Sequence, residues 1–593
     1  MKKNFKLGIL VIMCSLVFTN QSCTSLDDVN NRIDQVENDV NNLKAAIKLL
    51  QQAHDEGKMV KSVLPINTST GDNGGWIITF SDNSTITVYN GFQDIEKSDG
   101  FVNFTMIDGQ TFMFKTFTPK LTSLSFLAST NPNSLIDDVY GEIIGDSVVE
   151  CWARYIMDSK VLIPHFTFDG DEITVGDDVL TSDTTPYDFK APVKITVKSG
   201  DQTKDYNVYM HAFTGIPVLW IETEGRAAIT SKEDYINAHF KLVEDVKTRA
   251  AGDVTEFDGK IKGRGNSTWG MPKKPYAIKF DEKQSFFGEP KDKSWVLLAN
   301  YADKTSMRNA TAFYLGKISN LDYTPRFHFV DMMLNGRYNG TYQLGEKLKI
   351  GKNRVNVGDD GFLMEIDGRA PSESDSRYFN VDGVGQPINI KDPDVEYDDE
   401  NFLYAKNSVT NACAVLFSDK FLDPEEGWQK YFDIDSFVEW FLINEISKNA
   451  DAIGYSSCYL NLKRGEKIKM GPIWDFDIAF GNIDYADSCY PEGFWVRWMS
   501  LVNRMFQDPA FVAKVKERFN YFYNKQPEIM NEINQNAQYL RYSVIENNSK
   551  WGTFYNYTWP NYDIWGNYQN EVQSMKLWIQ KRFEWLKEQF DAM

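Results

Sequence analysis

At 593 residues the chain is too long for one hydrophobic core, and a usual domain size of roughly 100–200 residues predicts three or four units. With 42% apolar, 14% aromatic and 25% charged residues, global disorder is excluded. A formal net charge of −20 argues against nucleic acid as the main partner, because phosphate-backbone binding rests on Lys and Arg; a nucleotide site needs only a few placed cations and is not excluded.

Lys2, Lys3 and Lys6 precede the apolar run LGILVIMCSLVF at residues 7–18, the charged and apolar regions of a secretory signal, too short to span a bilayer. The run ends in TNQSC, with Ser22 before Cys23. This resembles the lipobox of a bacterial lipoprotein, although the usual leucine before the cysteine is missing. The resemblance implies removal of residues 1–22, acylation of Cys23 and an exported chain anchored to a bacterial membrane. Cys151, Cys413, Cys458 and Cys489 show no metal-type spacing. Export permits a Cys458–Cys489 disulfide, and free buried thiols are the simpler expectation.

Leu26, Val29, Ile33, Val36, Val40, Leu43, Ile47 and Leu50 alternate spacings of 3 and 4 with polar residues between them. That heptad seam predicts a coiled-coil stalk over residues 23–56, pairing two or three copies through residues 26–50. From 57 to 119 the period changes to two, in WIITF, TITVY, VNFTM and TFMFK, which predicts a β-hairpin module with a primed turn at Asp108-Gly109. Further alternating segments from 120 to 213 predict an immunoglobulin-like β-sandwich of six or seven strands. Neither module carries a nucleophile, metal or phosphate constellation.

Residues 216–593 hold the chemistry. In KGRGNSTWGMPKKPYAIKF at 262–280, Gly263, Gly265 and Ser267 permit a tight turn whose N–H groups can face an oxyanion, and Arg264, Lys273 and Lys274 add positive charge. A strand-like segment follows, with Lys279 projecting to one face. KSWVLLANYADKTSMRNATAFYLG, VDMMLNGRYNGTYQLGEKL and GFLMEID come next, then NEISKNADAIGYSSCYLNL with Asp451 in a loop, and KIKMGPIWDFDIAFGN with Asp475 and Asp477 after an apolar run. Trp269, Trp295 and Trp474 read as core. Arg308 can meet phosphate or pair with Asp303. Two segments of the tail, from MFQDP and from NEVQS, have helical periodicity, with the aromatic stretch WGTFYNYTWPNYDIW between them either a carbohydrate platform or packing against the fold.

The RGNSTW and KKPY segments and those that follow, in this order, resemble the CotH family over about 370 residues. The resemblance implies an α+β two-lobed protein-kinase-like domain that binds ATP with Mg²⁺ or Mn²⁺ and phosphorylates Ser or Thr on a protein acceptor. It also implies roles: Asp451 as catalytic base, Asp475 as metal ligand with Asp477 beside it or capping a helix, and Lys279 as the phosphate-holding lysine with Glu346 as its ion-pair partner. Arg264 and Ser267 would meet the phosphates. Ser456 stands where family members often have a metal-binding Asn, which leaves a second metal open. The alternative is a surface adhesion or glycan-associated scaffold that keeps the fold without catalysis.

Overall fold

The computed structural model describes residues 26–67, 73–98, 100–135, 138–153, 161–212, 214–244 and 254–593. The expected signal peptide and Cys23 lie outside them. The chain divides between residues 212 and 213 into two compact units. Among the described residues no helix is long and apolar enough to cross a membrane.

In the first unit the heptad segment forms one helix, Leu26–Asp55. Its seam has two fates. Leu26 and Ile33 are 80% and 45% exposed, whereas Leu50 is fully buried, and Leu43 and Ile47 pack on the same core, against two three-stranded antiparallel sheets. A Cβ on Gly91 would meet the Leu43 side chain at 2.4 Å, so glycine is what lets helix and sheet approach. The seam expected to pair copies over 26–50 is therefore spent within the chain at its C-terminal end, while Leu26, Val29, Ile33, Val36 and Val40 stand outside that core.

The two sheets contain the expected hairpins. The Asp108-Gly109 turn is not primed, because a primed type I turn needs two residues at positive φ and only Gly109 has one, at 81°. Beyond it, a six-stranded and a three-stranded sheet enclose a core that includes Leu124, Phe126, Ile195 and Val208, with a further two-stranded sheet. This sandwich has more and shorter strands than expected, and Val148–Ala153 pairs parallel with Gln202–Ala212.

The second unit opens with seven strands closed into a barrel, ending in Phe327–Leu334 and Arg337–Glu346. Strand alternation in Tyr276–Gln284 sends Tyr276, Ile278 and Phe280 into an aromatic interior with Phe240, Phe257 and Trp295, and sends Ala277 and Lys279 outward. A helical lobe follows, built around a five-stranded sheet that includes Phe362–Ile366 and Cys458–Leu462. Its central helix, Ile434–Ser447, is buried on nearly every side, and its buried acids are paired, Glu439 with Arg518 and Glu445 with Arg582. The Asp433 side chain caps it by accepting from the Ser436 N–H, and Lys448 ends it at a left-handed φ of 46°, turning the chain toward Asp451. The two expected tail helices are Pro509–Asn524 and Tyr568–Ala592. Cys151, Cys413, Cys458 and Cys489 are free buried thiols.

Candidate active site

A cleft of about 860 Å³ lies between barrel and helical lobe. Lys262, Ala277, Val296 and Lys347 form the barrel side, and Glu365, Arg369, Asp451, Trp474, Asp475 and Asp477 the other, with the turn from Gly263 to Thr268 along the edge. Gly263 and Gly265 are required there: a Cβ on Gly263 would strike the Trp269 ring at 2.2 Å, and Gly265 sits at φ 85°.

The acids crowd one another. Burial raises the Asp451 pKa to about 6; the Asp475 charge adds to the rise, while Arg369 and Ser456 oppose it. Burial also drives the Asp477 pKa well above the carboxylate range, and Asp475, Asp303 and Asp451 push it further. Among the described residues no group of three or more His, Cys, Asp or Glu side chains forms a metal cage. Two carboxylates whose remaining ligands come from phosphate oxygens and water suit Mg²⁺, which seldom takes an all-protein cage. The gathering of Asp451, Asp475 and Asp477 on one cleft wall is the observation that fits a cation.

Asp475 is held at φ 65°, a conformation that costs a non-glycine residue of order 1 kcal/mol or more. The peptide joining it to Phe476 is gripped at both ends. Asn449 Nδ2 donates to the Asp475 carbonyl at 3.1 Å, and the Phe476 N–H donates to Asn309 Oδ1 at 2.8 Å. Asn309 Nδ2 in turn donates to Asn300 Oδ1 at 3.1 Å, and Asn300 Nδ2 to Gln343 Oε1 at 2.8 Å, so a chain of amides runs from a barrel strand to Asp475. Sequence reasoning missed these residues, since a lone Asn carries no signal of a partner some 167 positions away. An Asn309→Ala variant is expected to weaken metal-dependent nucleotide binding about ten-fold, the scale of one buried hydrogen bond. Titration with MnATP checks it, with metal-free nucleotide as the control that a general packing defect would also move.

Arg264 lies 5.5 Å above the Trp474 ring. Burial lowers its pKa, against the pull of Asp475, Tyr459 and Asp477. It therefore sits in the field of the same acids. Arg369 pairs with Asp367 at 3.4 Å; burial works against its charge, and Asp367, Glu365 and Asp451 outweigh that cost. Ser267 is exposed at the start of the short helix Ser267–Gly270 and faces the cleft.

Four expectations are corrected. Lys279 is exposed and outside the cleft lining: it shares a strand face with Ala277 but lies one pleat repeat further along, past the cleft edge. Glu346 is buried on the other side of its strand, paired with Arg326 and with Arg354 at 3.1 Å, and also accepting from the Tyr323 hydroxyl. The next residue, Lys347, has the opposite parity and faces the cleft, where burial and the charges of Lys262 and Arg264 hold its pKa low. Lys273 is buried, its ammonium bound to the Thr341 carbonyl and to Asn547 Oδ1. Ser456 is 1% exposed and off the cleft wall; its hydroxyl lowers the Asp451 pKa without reaching hydrogen-bonding geometry, so it stands behind Asp451 and not in the cleft. Arg308 takes the structural alternative, pairing with Asp303. Trp295 is core, and Trp474 is core as well, with one side of it bordering the cleft.

Residues 261–586 match the family model described as CotH kinase protein. No curated protein matches the chain. Among solved structures, a Bacteroides thetaiotaomicron protein described provisionally as a glycoside hydrolase is 15% identical over 46% of this chain and 65% of its own, with a TM-score of 0.13. That chain is thus spanned for just under two thirds of its length, and a superposition so poor carries no argument.

Proposed function

The chain belongs to the CotH kinase protein family, and from that premise we propose that its cleft moves the terminal phosphoryl group of ATP to a Ser or Thr hydroxyl of a protein. The observation that carries the reading is the convergence of Asp451, Asp475 and Asp477 on the wall of one cleft that also presents Arg264. In this reading the acceptor oxygen forms a bond to the γ-phosphorus as the bond to the β-phosphate oxygen breaks, and ADP leaves. Asp451 accepts the hydroxyl proton. Asp475 and Asp477 would hold Mg²⁺ or Mn²⁺, and such a cation would supply charge neutralisation on the phosphates. Arg264 and Lys347 meet the phosphate oxygens from the barrel side, and the N–H groups of the turn around Ser267 face the same charge. The same proposal includes attachment through Cys23 outside the cytoplasm and association of copies through the open face Leu26–Val40.

Incubation of the full chain with labelled ATP and Mg²⁺ or Mn²⁺ tests the reading; neither nucleotide binding nor phosphate transfer under either metal would sink it. Lys347→Ala is expected to weaken nucleotide binding about ten-fold, the scale of one charge-assisted contact, and Lys279→Ala to leave it within about two-fold. Equilibrium binding of a fluorescent ATP analogue separates the two.

A pH dependence follows from Asp451. Its folded pKa of about 6 lies above the usual value of 3.8, so between those values the folded state holds the extra proton. Stability of the metal-free protein therefore falls as pH rises through that window, by on the order of 2–3 kcal/mol. Urea unfolding in chelator at pH 4.5 and 7 checks the sign, and Asp451→Asn removes this component.

A further inference from the structure

A second cavity of about 830 Å³ lies in the second unit apart from the acid-lined cleft, and the two share no lining residue. Its walls come from residues 320–324 and 352–356, the start of the central helix Ile434–Ser447, residues 469–472 and the helix Pro509–Asn524. Six of its lining residues are cations, Arg326, Lys352, Arg354, Lys469, Lys514 and Arg518, and four are acids, Asp322, Asp433, Asp435 and Glu517. Three of the acids are already engaged: Asp322 by Lys469 at 2.5 Å, Asp435 by Lys514, and Asp433 as the cap of the central helix. Counting Glu289, Glu346 and Glu439, which pair with the arginines from outside the lining, the neighbourhood is close to neutral on a chain that carries −20. An anion that the rest of the surface repels is admitted here.

The arginines show what is missing. Arg326 is fully engaged, by Glu346 and by the Asn353 carbonyl at 2.8 Å. Arg354 is 4% exposed; its Nε meets Glu346 at 3.1 Å, its Nη1 donates to the Lys347 carbonyl at 3.0 Å, and the guanidinium lies 5.2 Å from the centre of the Trp295 ring. Its Nη2 is buried with no acceptor. Arg518 repeats the pattern, with Nε on Glu439 and Nη2 unmet. Glu439 also has an unmet oxygen, which a small turn of Arg518 would satisfy, so Arg354 is the firmer anchor. A buried donor left without a partner costs about 1–3 kcal/mol, more when it is charged, and folded proteins keep such groups where a ligand, an ion or ordered water meets them. Lys352, exposed on the same cavity, has no ion-pair partner among the described residues.

We propose that this cavity binds a small molecule carrying a phosphate or sulfate ester, with Arg354 donating through Nη2 to an ester oxygen and Arg518 and Lys352 adding charge from the same walls. Phosphate and sulfate esters present the same tetrahedral oxyanion, which the planar fork of a guanidinium matches. The volume admits a ligand of monosaccharide size. No cleft side chain takes part, so the site is independent of phosphotransfer.

Isothermal titration calorimetry of the full chain in chelator, with glucose 6-phosphate, glucose 6-sulfate and glucose as probes, tests the site. At least one ester is expected to bind at least about ten-fold tighter than glucose, with affinity falling as salt rises. Equal binding of the two esters supports a general oxyanion site, and a preference supports the site while showing which ester it takes. Arg354→Lys keeps a charge beside Glu346 but loses the fork, and is expected to weaken ester binding about ten-fold. Lys352→Ala, at an exposed position, should weaken it about three-fold, and Lys347→Ala, in the cleft, should leave it unchanged. Glucose binding as tightly as the esters, neither ester binding, or Lys347→Ala costing as much as Arg354→Lys would overturn the proposal, the last by placing the anion in the cleft. Circular dichroism shows whether Arg354→Lys keeps the fold; where it does not, Lys352→Ala decides alone, and unchanged ester affinity in that variant overturns the site.

Discussion

Asp475→Ala is expected to lower phosphotransfer by at least about a thousand-fold, as when a preorganised electrostatic group is removed from an active site, and to raise thermal stability at neutral pH. Both directions come from the same geometry. The Asp475 charge raises the pKa of Asp451 and of Asp477, so its removal relieves two buried acids at once. The left-handed φ of 65° stays costly for alanine and is relieved only by glycine, so Asp475→Gly should stabilise further. A residue kept for packing would behave in the opposite way, losing stability on truncation. Thermal unfolding with and without Mn²⁺ gives the check: the metal should raise the midpoint of the wild type and leave that of the variant unchanged. A variant less stable than wild type, still stabilised by Mn²⁺, would show that Asp475 is structural.

The largest expected effect on stability lies at Arg582. Both Arg582 and Glu445 are fully buried, and they are paired side chain to side chain at 2.5 Å. Glu445 also accepts from the Trp495 N–H at 2.8 Å and the Arg497 N–H at 2.7 Å, while Arg582 donates to the Pro491 and Gly493 carbonyls, each at 2.7 Å. The pair therefore ties the central helix to the loop from Pro491 to Arg497. Arg582→Met keeps most of the volume but leaves a buried carboxylate without its counter-charge, and is expected to cost about 3–5 kcal/mol in urea unfolding. The double change Arg582→Met, Glu445→Gln should recover part of that loss, because the stranded charge is then gone. If the double variant is as unstable as the single one, the cost comes from the backbone bonds and not from the charge.

Much of the site was legible along the chain. Asp451, Asp475, Asp477, Arg264 and the glycine turn carry their signal locally, in motifs a few residues long, and the fold brings them to one cleft. Lys279 and Glu346 misled because a motif of three or four letters does not say how far along a strand the cleft reaches, nor which face is inward. Glu346 and Lys347 differ by one position and point to opposite sides. Ser456 was read by its distance from Asp451 in the chain, whereas burial places it behind that residue. The grip of Asn309 and Asn449 on the Asp475 peptide joins elements that only tertiary packing brings together, so periodicity and spacing could not reveal it. The heptad seam was correctly periodic, yet periodicity does not distinguish a partner chain from the protein's own sheet, and the close approach at Gly91 decides that for Leu43.

The claim that the acids of the cleft hold a metal–nucleotide pair is tested most directly by equilibrium binding of an ATP analogue to the full chain, with Mn²⁺ or with chelator, in wild type and in Asp475→Ala. The account predicts binding by the wild type that requires the metal and is lost in the variant. Binding that is indifferent to metal, that survives the substitution, or that is absent from the wild type under both conditions would contradict it.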